Sequence, residues 1–225
     1  MPDQSERRRF PRCPIQLPLQ HAQKSPPRSK IGGGWTQSLS EGGACVELDR
    51  PLSAPTWLHI RLQTDRGAIA VEAQVVWQGK PAADPAEQGI PHGVTFKHLS
   101  PAQRQALRDL LLAQRQERRL GVRLPVDLGV TCRPRGPAGP PLRGHTGDIS
   151  RGGLLIRLSQ VLLPGTALDI TLQPPGEPVT ATGEIVWVDP GYRQSYGQEI
   201  RHGVRFAAPG WHASLALARF LLGVP

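Results

Sequence analysis

The chain has 225 residues, enough for one large domain or two ordinary ones, and includes 25 Gly and 24 Pro. So many chain breakers argue against a protein of long helices and favour short strands joined by turns. The formal net charge of +9 favours anionic partners without identifying the anion. All but four of the 27 basic residues are arginines, whose planar fork suits phosphates and guanine edges, although GC-rich coding produces the same bias.

Cysteine usage and the N-terminal sequence bear on the compartment. Cys13, Cys45 and Cys132 are scattered and form no C-x-x-C pair, which argues against a disulfide framework or a zinc site. The stretch MPDQSERRRF lacks the apolar segment of a signal peptide, and no window reaches the roughly 18 apolar residues of a membrane span. We therefore expect a soluble, cytoplasmic protein with reduced thiols.

An internal repeat organises the chain. Segments of the first half recur in the second half at an offset of 110 or 111 residues. The matched segments are HGVTF at 92–96 with HGVRF at 202–206, QVVW ending at Trp77 with EIVW ending at Trp187, SLSEGG from Ser38 with DISRGG from Asp148, and ERRRFPR from Glu6 with ERRLGVR from Glu117. Such self-similarity indicates one fold used twice. We predict an N-terminal domain over 1–116 and a C-terminal domain over 117–225.

Each copy reads as several short strands bounded by Gly, Pro or Asp turns. In the first copy the predicted strands are 13–21, 34–38, 44–48, 57–63, 68–78 and 92–97. In the second copy they are 124–132, 142–148, 154–158, 167–172, 179–188 and 203–206. Six strands per copy predict a mainly β chain, made of two tandem six-stranded antiparallel β-barrels.

A helix is predicted after the last strand of each copy. Ser100 can cap a first helix that begins at Pro101. The apolar face of this helix consists of Leu107, Leu110 and Leu111. The second helix is predicted over 211–222, where the side chains expected to pack on the barrel are Trp211, Leu215 and Phe220. The first helix runs almost directly into the second copy, so no long flexible linker is expected.

Arginines cluster ahead of the first strand in each copy. They are Arg7, Arg8, Arg9 and Arg12, and then Arg115, Arg118, Arg119 and Arg123. Such a cluster is most often a solvated face or a helix end favoured by the dipole, but guanidinium groups also bind phosphate or the O6 and N7 edge of guanine. In both copies a pair of arginines four residues apart precedes a Gly-Gly turn by about 25 residues, and this recurrence favours a ligand.

The turn DISRGG, 148–153, allows two interpretations. As a structural turn, Asp148 accepts local backbone N–H bonds and Gly152 or Gly153 takes a positive φ before the strand starts. As a ligand site, Asp148 accepts from the N–H edge of a guanine, Ser150 offers its hydroxyl to phosphate, and Gly153 lets a ligand approach the backbone. The residues of the turn alone leave both interpretations open.

Two motifs of the second copy, Arg119-x-x-x-Arg123 and Asp148-x-Ser150-x-x-Gly153, resemble the RxxxR and D/NxSxxG signature of PilZ domains, receptors for the bacterial second messenger cyclic di-GMP. The strand pattern and the terminal helix extend the resemblance over the whole second copy. It implies that the two arginines hold guanine and phosphate, that Asp148 and Ser150 contact the guanine and the ligand backbone, and that Gly153 shapes the turn. Weaker ligand contacts are expected from Arg118, Arg151 and Gly152.

The first copy resembles the same family but departs from its motif at one position. The matching residues are Arg8, Arg12, Ser40 and Gly43. Ser38 stands where Asp or Asn is expected, and a short, uncharged serine recognises the paired N–H groups of guanine poorly. Losing a charge-assisted bond of this type costs roughly 1.5–3 kcal/mol, or about ten- to a hundredfold in affinity. We expect the first copy to bind weakly or not at all and to serve as a packing or partner surface.

Other residue types give weaker signals. His92 and His202 occupy equivalent positions but have no matching second ligand, so neither a zinc site nor a catalytic site is expected. Trp77 and Trp187 are predicted to pack on the barrel wall, and not to act as stacking platforms. The sequence contains no nucleophile elbow, zinc-protease motif or P-loop. We therefore predict a binding protein that is not an enzyme and needs no cofactor.

Three functions are compatible with these features. The leading hypothesis is a cyclic di-GMP effector whose second domain binds the nucleotide, reorients the domains and regulates a protein partner in motility, secretion or polysaccharide synthesis. The alternative is a PilZ-derived interaction scaffold that no longer senses nucleotide, which the presence of Asp148 argues against. A third is a nonspecific nucleic-acid binder, disfavoured because the charge is spread evenly over both halves and few aromatic residues accompany the arginines.

Overall fold

A computed structural model describes most of the chain and divides it into two compact units, Met1–Val122 and Arg123–Pro225. The described residues are 10–25, 30–81, 88–116, 121–136, 140–174, 176–190, 199–207 and 210–223. Residues 121 and 122 belong to the first unit, where the Val122 amide donates to the Gln16 carbonyl over 3.4 Å. The boundary after residue 116, drawn from the sequence repeat, stays a prediction.

The first unit is a closed antiparallel barrel followed by a helix. Its elements are β1 (Cys13–Pro14), β2 (Pro18–Gln23), β3 (Gly32–Ser40), β4 (Gly43–Leu48), β5 (Trp57–Thr64), β6 (Gly67–Gln78), β7 (Ile90–Lys97) and α1 (Pro101–Gln116). Six strands pair in the order β3-β2-β5-β6-β7-β4, and the pairing of β4 with β3 closes the ring. The two-residue β1 pairs with β3, beyond the stretch of β3 that pairs with β2.

The second unit repeats this architecture. Its elements are β8 (Leu124–Pro125), β9 (Gly129–Pro134), β10 (Leu142–Ser150), β11 (Gly153–Leu158), β12 (Ala167–Gln173), β13 (Val179–Val188), β14 (Ile200–Phe206) and α2 (Trp211–Leu221). The ring runs β11-β14-β13-β12-β9-β10, and the pairing of β10 with β11 closes it. The predicted fold class, two tandem six-stranded barrels each followed by a helix, is confirmed.

The first predicted strand of each copy is broken in two, and one threonine in each unit explains the break. The Thr36 hydroxyl accepts a 2.9 Å hydrogen bond from the Leu17 amide and donates over 2.6 Å to the Ile15 carbonyl. In the second unit the Thr146 hydroxyl accepts from the Leu128 amide over 3.0 Å and donates to the Val126 carbonyl. A side chain therefore satisfies backbone groups that leave the strand ladder between β1 and β2 and between β8 and β9.

The packed face of α1 is close to the prediction, whereas that of α2 consists largely of other residues than those predicted. The Ser100 hydroxyl accepts from the Gln103 amide over 3.2 Å, and the Gln103 side chain accepts from the Ser100 amide over 2.7 Å, so the predicted cap of α1 is a capping box. Leu107 and Leu111 of α1 are buried, whereas Leu110 is half-buried. In α2 the buried side chains are Trp211, Ser214, Leu217 and Ala218, whereas Leu215 and Phe220 are only partly buried. No helix in the described parts of the chain is long and apolar enough to cross a membrane.

Candidate ligand site at the glycine turn of the second unit

The stretch 148–153 comprises the end of β10, a two-residue turn and the start of β11. Ser150 pairs with Gly153 across the turn, and the buried Ser150 hydroxyl donates a 3.1 Å hydrogen bond to the Gly153 carbonyl. In the first unit the Ser40 hydroxyl donates to the Gly43 carbonyl at the same distance. The prediction that this motif opens a strand is therefore confirmed, whereas the prediction of a positive φ at Gly152 or Gly153 is wrong, because the turn passes into β11 with negative φ at both glycines. The serine hydroxyl thus forms a hydrogen bond across the turn. Its contact with a ligand stays a proposal.

The two adjacent glycines of the turn have different surroundings. A Cβ atom on Gly153 would lie 2.1 Å from the carbonyl oxygen of Val204 on the neighbouring strand β14. Gly43 has the same constraint in the first unit, with the Val94 carbonyl oxygen at 2.2 Å. A Cβ atom on Gly152 would meet nothing within 4 Å, and this residue is exposed. Gly153 is thus required by the close approach of two strands, whereas Gly152 leaves open space above the turn.

Asp148 and Arg123 meet beside this turn. The register between β10 and β11 shifts between Thr146 and Asp148, and Asp148 then pairs with Pro125 of β8. Because Arg123 comes just before β8, its Nη1 atom lies 2.8 Å from Oδ1 of Asp148. The two side chains are 29% and 26% exposed, so the charged pair is oriented by a hydrogen bond yet open to a ligand.

The structure describes only part of the predicted arginine arm. Arg118 and Arg119 in the second copy, and Arg8 in the first copy, lie outside the described residues. Arg151 lies in the turn itself and is partly exposed. Of the residues named from the motif, the structure therefore brings together Arg123, Asp148 and the turn from Ser150 to Gly153.

Further arginines flank the turn on the outer surface of β11 and β14, and the sequence analysis did not single them out. Arg205 pairs with Gly153, and Arg157 pairs with Arg201 four residues farther along β11. Arg157 also donates to the Asp127 carboxylate and to the Thr146 carbonyl, both over 3.0 Å. Side chains alternate between the two faces of a strand, and each of these arginines stands between two buried apolar or histidine residues in IRHGVRF or LLIRL, which is the sequence signal that places it on the outer face.

The same face of the first unit has different chemistry. Ser38 pairs with Pro14 of β1, as Asp148 pairs with Pro125. Beside it, the Gln37 amide donates over 2.7 Å to the buried Glu47 carboxylate, which stands at the position of Arg157. Burial raises the pKa of the neighbouring Cys45 thiol, although the positive charge of Arg12 acts against that rise. The first unit thus has a carboxylate and amides where the second unit has an arginine.

His92 and His202 have structural roles. Each imidazole is completely buried. Its Nε2 atom accepts a 3.0 Å hydrogen bond from a loop amide, that of Leu52 for His92 and that of Leu162 for His202. Because Nε2 accepts, Nδ1 carries the proton and donates to a carbonyl of the same strand. Burial lowers the pKa of both histidines, outweighing the opposite effect of the backbone hydrogen bond. These residues fix the loop that follows β4 and the loop that follows β11.

Trp77 and Trp187 pack against glycines of the neighbouring strand. A Cβ atom on Gly93 would lie 1.9 Å from Nε1 of Trp77, and a Cβ atom on Gly203 would lie 1.9 Å from Nε1 of Trp187. The glycine of each HGV segment is therefore needed to make room for an indole on the outer wall. The prediction of barrel-wall packing is confirmed.

Comparison with known proteins gives matches over both halves of the chain. The family model of the PilZ domain matches residues 6–113 and again residues 113–223. A comparison with curated protein sequences finds no match. None of the matches indicates a catalytic family.

The comparison with solved structures also gives matches to PilZ proteins. The PilZ domain of CeSA from a cellulose synthesizing bacterium is 24% identical, with 47% of this chain and 98% of that chain covered and a TM-score of 0.38. The PilZ domain of YcgR from Escherichia coli, solved with c-di-GMP, is 16% identical, with 49% and 92% covered and a TM-score of 0.41. PlzA of Borreliella burgdorferi, solved in complex with c-di-GMP, is 12% identical, with 92% and 88% covered and a TM-score of 0.39.

Proposed function

The chain belongs to the PilZ domain family over both of its copies, and from that membership we propose that it is a receptor that binds cyclic di-GMP at the glycine turn of the second unit. The proposed binding residues are Arg119, Arg123, Asp148, Ser150 and Gly153, with Arg118, Arg151 and Gly152 as weaker contacts. Residues 118 and 119 enter this proposal from the sequence motif alone. The reaction is binding, with no chemical step.

The pairing of Arg123 with Asp148 is the observation that carries the proposal. A carboxylate accepts two parallel hydrogen bonds, which suits the paired N–H groups of guanine. A guanidinium has five N–H donors, so the bond to Asp148 leaves Arg123 able to bind a phosphate or a base edge as well. Gly152 adds an open approach to the backbone of the turn, since no described residue lies within 4 Å of a Cβ atom built on it.

We further propose that nucleotide binding regulates a protein partner by changing the relative orientation of the two units. The arginine motif belongs to the stretch of sequence that connects the two copies. A ligand bound by these arginines therefore changes the conformation of the connecting stretch. The ligand shifts the orientation only by its difference in affinity for the two arrangements. X-ray scattering of the full chain tests this step: the envelope is expected to change on addition of nucleotide, and an unchanged envelope contradicts it.

Calorimetry of the full chain with cyclic di-GMP tests the binding proposal. Asp148→Ala is expected to lose about ten- to a hundredfold in affinity, because a charge-assisted pair of hydrogen bonds is removed. Arg123→Ala is expected to weaken binding likewise. Arg12→Ala, the matched change in the first copy, is the control and leaves the binding constant unchanged.

Two results would overturn the proposal. One is the absence of binding by the folded wild type, and the other is undiminished binding by Arg123→Ala. If the wild type instead binds oligonucleotides with a steep salt dependence and without preference for the cyclic dinucleotide, the nucleic-acid alternative replaces it.

A further inference from the structure

The glycine turns of the two units differ in what lies above them. A Cβ atom on Gly42 would lie 2.7 Å from Cδ2 and 3.1 Å from Cε2 of Phe10. The Phe10 ring is therefore in van der Waals contact with the turn of the first unit. No residue in the described parts of the chain lies within 4 Å of a Cβ atom on Gly152, the equivalent residue of the second unit. In the aligned motifs ERRRFPR and ERRLGVR, Phe10 corresponds to Gly121, which has no side chain to cover a turn.

The first turn is also tied to its own helix by an ion pair. Nε of Arg108 in α1 lies 2.8 Å from Oε2 of Glu41 in the turn. Glu41 corresponds to Arg151 of the second unit, and Arg108 corresponds to Ala218, so the second unit cannot form this pair. Phe10, Glu41 and Arg108 line a cavity of about 160 Å³ together with Leu111 and Arg115.

The glycine turns of the two units therefore differ in both charge and shape at equivalent positions. In the second unit the turn has an arginine, and among the described residues nothing lies within 4 Å of a Cβ atom on its first glycine. In the first unit the equivalent turn has a carboxylate that pairs with Arg108, and an aromatic ring contacts the glycine. A ligand with a flat base would find the surface of Gly42 already covered by Phe10 and the Arg108 guanidinium already paired with Glu41.

We propose that the first copy is closed to cyclic nucleotides by its own chain: Phe10 covers the surface of the turn that a base would need, and Glu41 occupies the position of Arg151 and pairs with Arg108. This inference rests on the proposed function, since it takes the second copy as the site that binds. Phe10 and Glu41 are then specificity-determining residues. Together with Ser38 they give three causes for the failure of the first copy to bind cyclic nucleotides. Replacing Ser38 by aspartate alone does not open the site.

The proposal is tested in the full chain by a graft, in which residues of the second turn replace their counterparts around the first turn. The background is Arg123→Ala combined with Asp148→Ala, which removes both members of the charged pair in the second copy. Ser38→Asp in that background is expected to remain without measurable binding of cyclic di-GMP. Adding Phe10→Gly, Glu41→Arg and Arg108→Ala gives the first turn the residues found at the matching positions of the second copy, and binding is expected to return at least about tenfold tighter than with Ser38→Asp alone.

Two outcomes would overturn the inference: full binding with Ser38→Asp alone, or no binding by the fourfold graft when circular dichroism and thermal unfolding show it folded. A ligand-free measurement separates this from failure of the proposed function. The ring current of Phe10 is expected to displace the Hα resonances of Gly42, and Phe10→Leu is expected to remove that displacement. If the wild type binds no nucleotide the proposed function fails, while Gly42 resonances that do not change in Phe10→Leu would refute the covering role of Phe10.

Discussion

Arg123 donates a 2.8 Å hydrogen bond to the carboxylate of Asp148, a residue 25 positions later in the sequence. The contact exists because β8 pairs with β10 immediately after a register shift, which places Pro125 opposite Asp148. The corresponding pairing in the first unit sets Pro14 opposite Ser38, which has no charge to offer an arginine. The same backbone register thus occurs in both units, but only in the second unit does it place a carboxylate beside an arginine.

Asp148→Asn separates the structural role of this pair from its ligand role. We expect the free energy of unfolding to fall by less than about 1 kcal/mol, because the pair is partly exposed and solvent competes for both charges. Nucleotide affinity is expected to fall by no more than about tenfold, because an amide offers guanine one acceptor oxygen in place of two but the motif accepts Asp or Asn at this position. Urea unfolding and calorimetry on one preparation provide both numbers. A loss of stability much larger than the loss of binding free energy would indicate that Asp148 mainly stabilises the fold and does not bind the ligand.

The two glycines of the second turn are expected to respond differently to alanine. Gly153→Ala places a Cβ atom 2.1 Å from a backbone oxygen that cannot move alone, so we expect a loss of stability of about 1–3 kcal/mol or more. Gly152→Ala meets open space and is expected to leave stability nearly unchanged. If the ligand approaches the turn as proposed, Gly152→Ala weakens nucleotide binding without unfolding the unit.

Thermal unfolding monitored by circular dichroism ranks the two glycine variants, and calorimetry follows for those that remain folded. The matched change Gly43→Ala in the first unit, where a backbone oxygen lies at 2.2 Å, serves as the control for the strand contact. It should reduce stability as Gly153→Ala does without changing nucleotide affinity. Equal stability of Gly152→Ala and Gly153→Ala would contradict the close contact of β11 with β14.

Thr146→Val and its counterpart Thr36→Val test the threonine that breaks the first strand of each unit. Each change leaves a buried amide and a buried carbonyl without the hydroxyl that serves both, and we expect a cost of about 1–3 kcal/mol per unit. Because Thr146 also fixes the chain just after β8, its loss is expected to weaken nucleotide binding. Thr36→Val should leave binding unchanged, and the reverse pattern would count against a site in the second unit.

Acidification is expected to destabilise the protein through its two buried histidines. Their pKa values are lowered in the folded state, so below the ordinary pKa of about 6.5 the unfolded chain takes up protons that the folded chain does not. The stability that neutral His92 and His202 contribute is therefore present above that pKa and is lost as the pH falls through the lowered folded values. Urea unfolding at a series of pH values should show this slope. The double variant His92→Asn with His202→Asn is expected to flatten the slope, and an unchanged slope would assign the effect to other groups.

Much of the architecture can be predicted from the order of residues. The repeat at an offset of 110 or 111, the alternation within each strand and the Ser100–Pro101 start of α1 are local patterns, and each follows from rules that act over a few residues. The turn at 148–153 and its resemblance to a nucleotide-binding motif are also readable from spacing alone. The charge reversal between Glu41 and Arg151 is visible in the aligned copies as well, but nothing in the sequence shows which residue pairs with Glu41.

Contacts between residues far apart in the chain are decided only by the tertiary structure. Thr36 hydrogen-bonds residues about 20 positions away, Gly153 lies against Val204, and Phe10 covers Gly42. No periodicity connects such pairs, because they meet only after a closed barrel has fixed the separation of its strands. The sequence by itself therefore determined the repeated barrel and the candidate turn. The packing of the folded units decided that one turn is covered by its own chain while the other stays open.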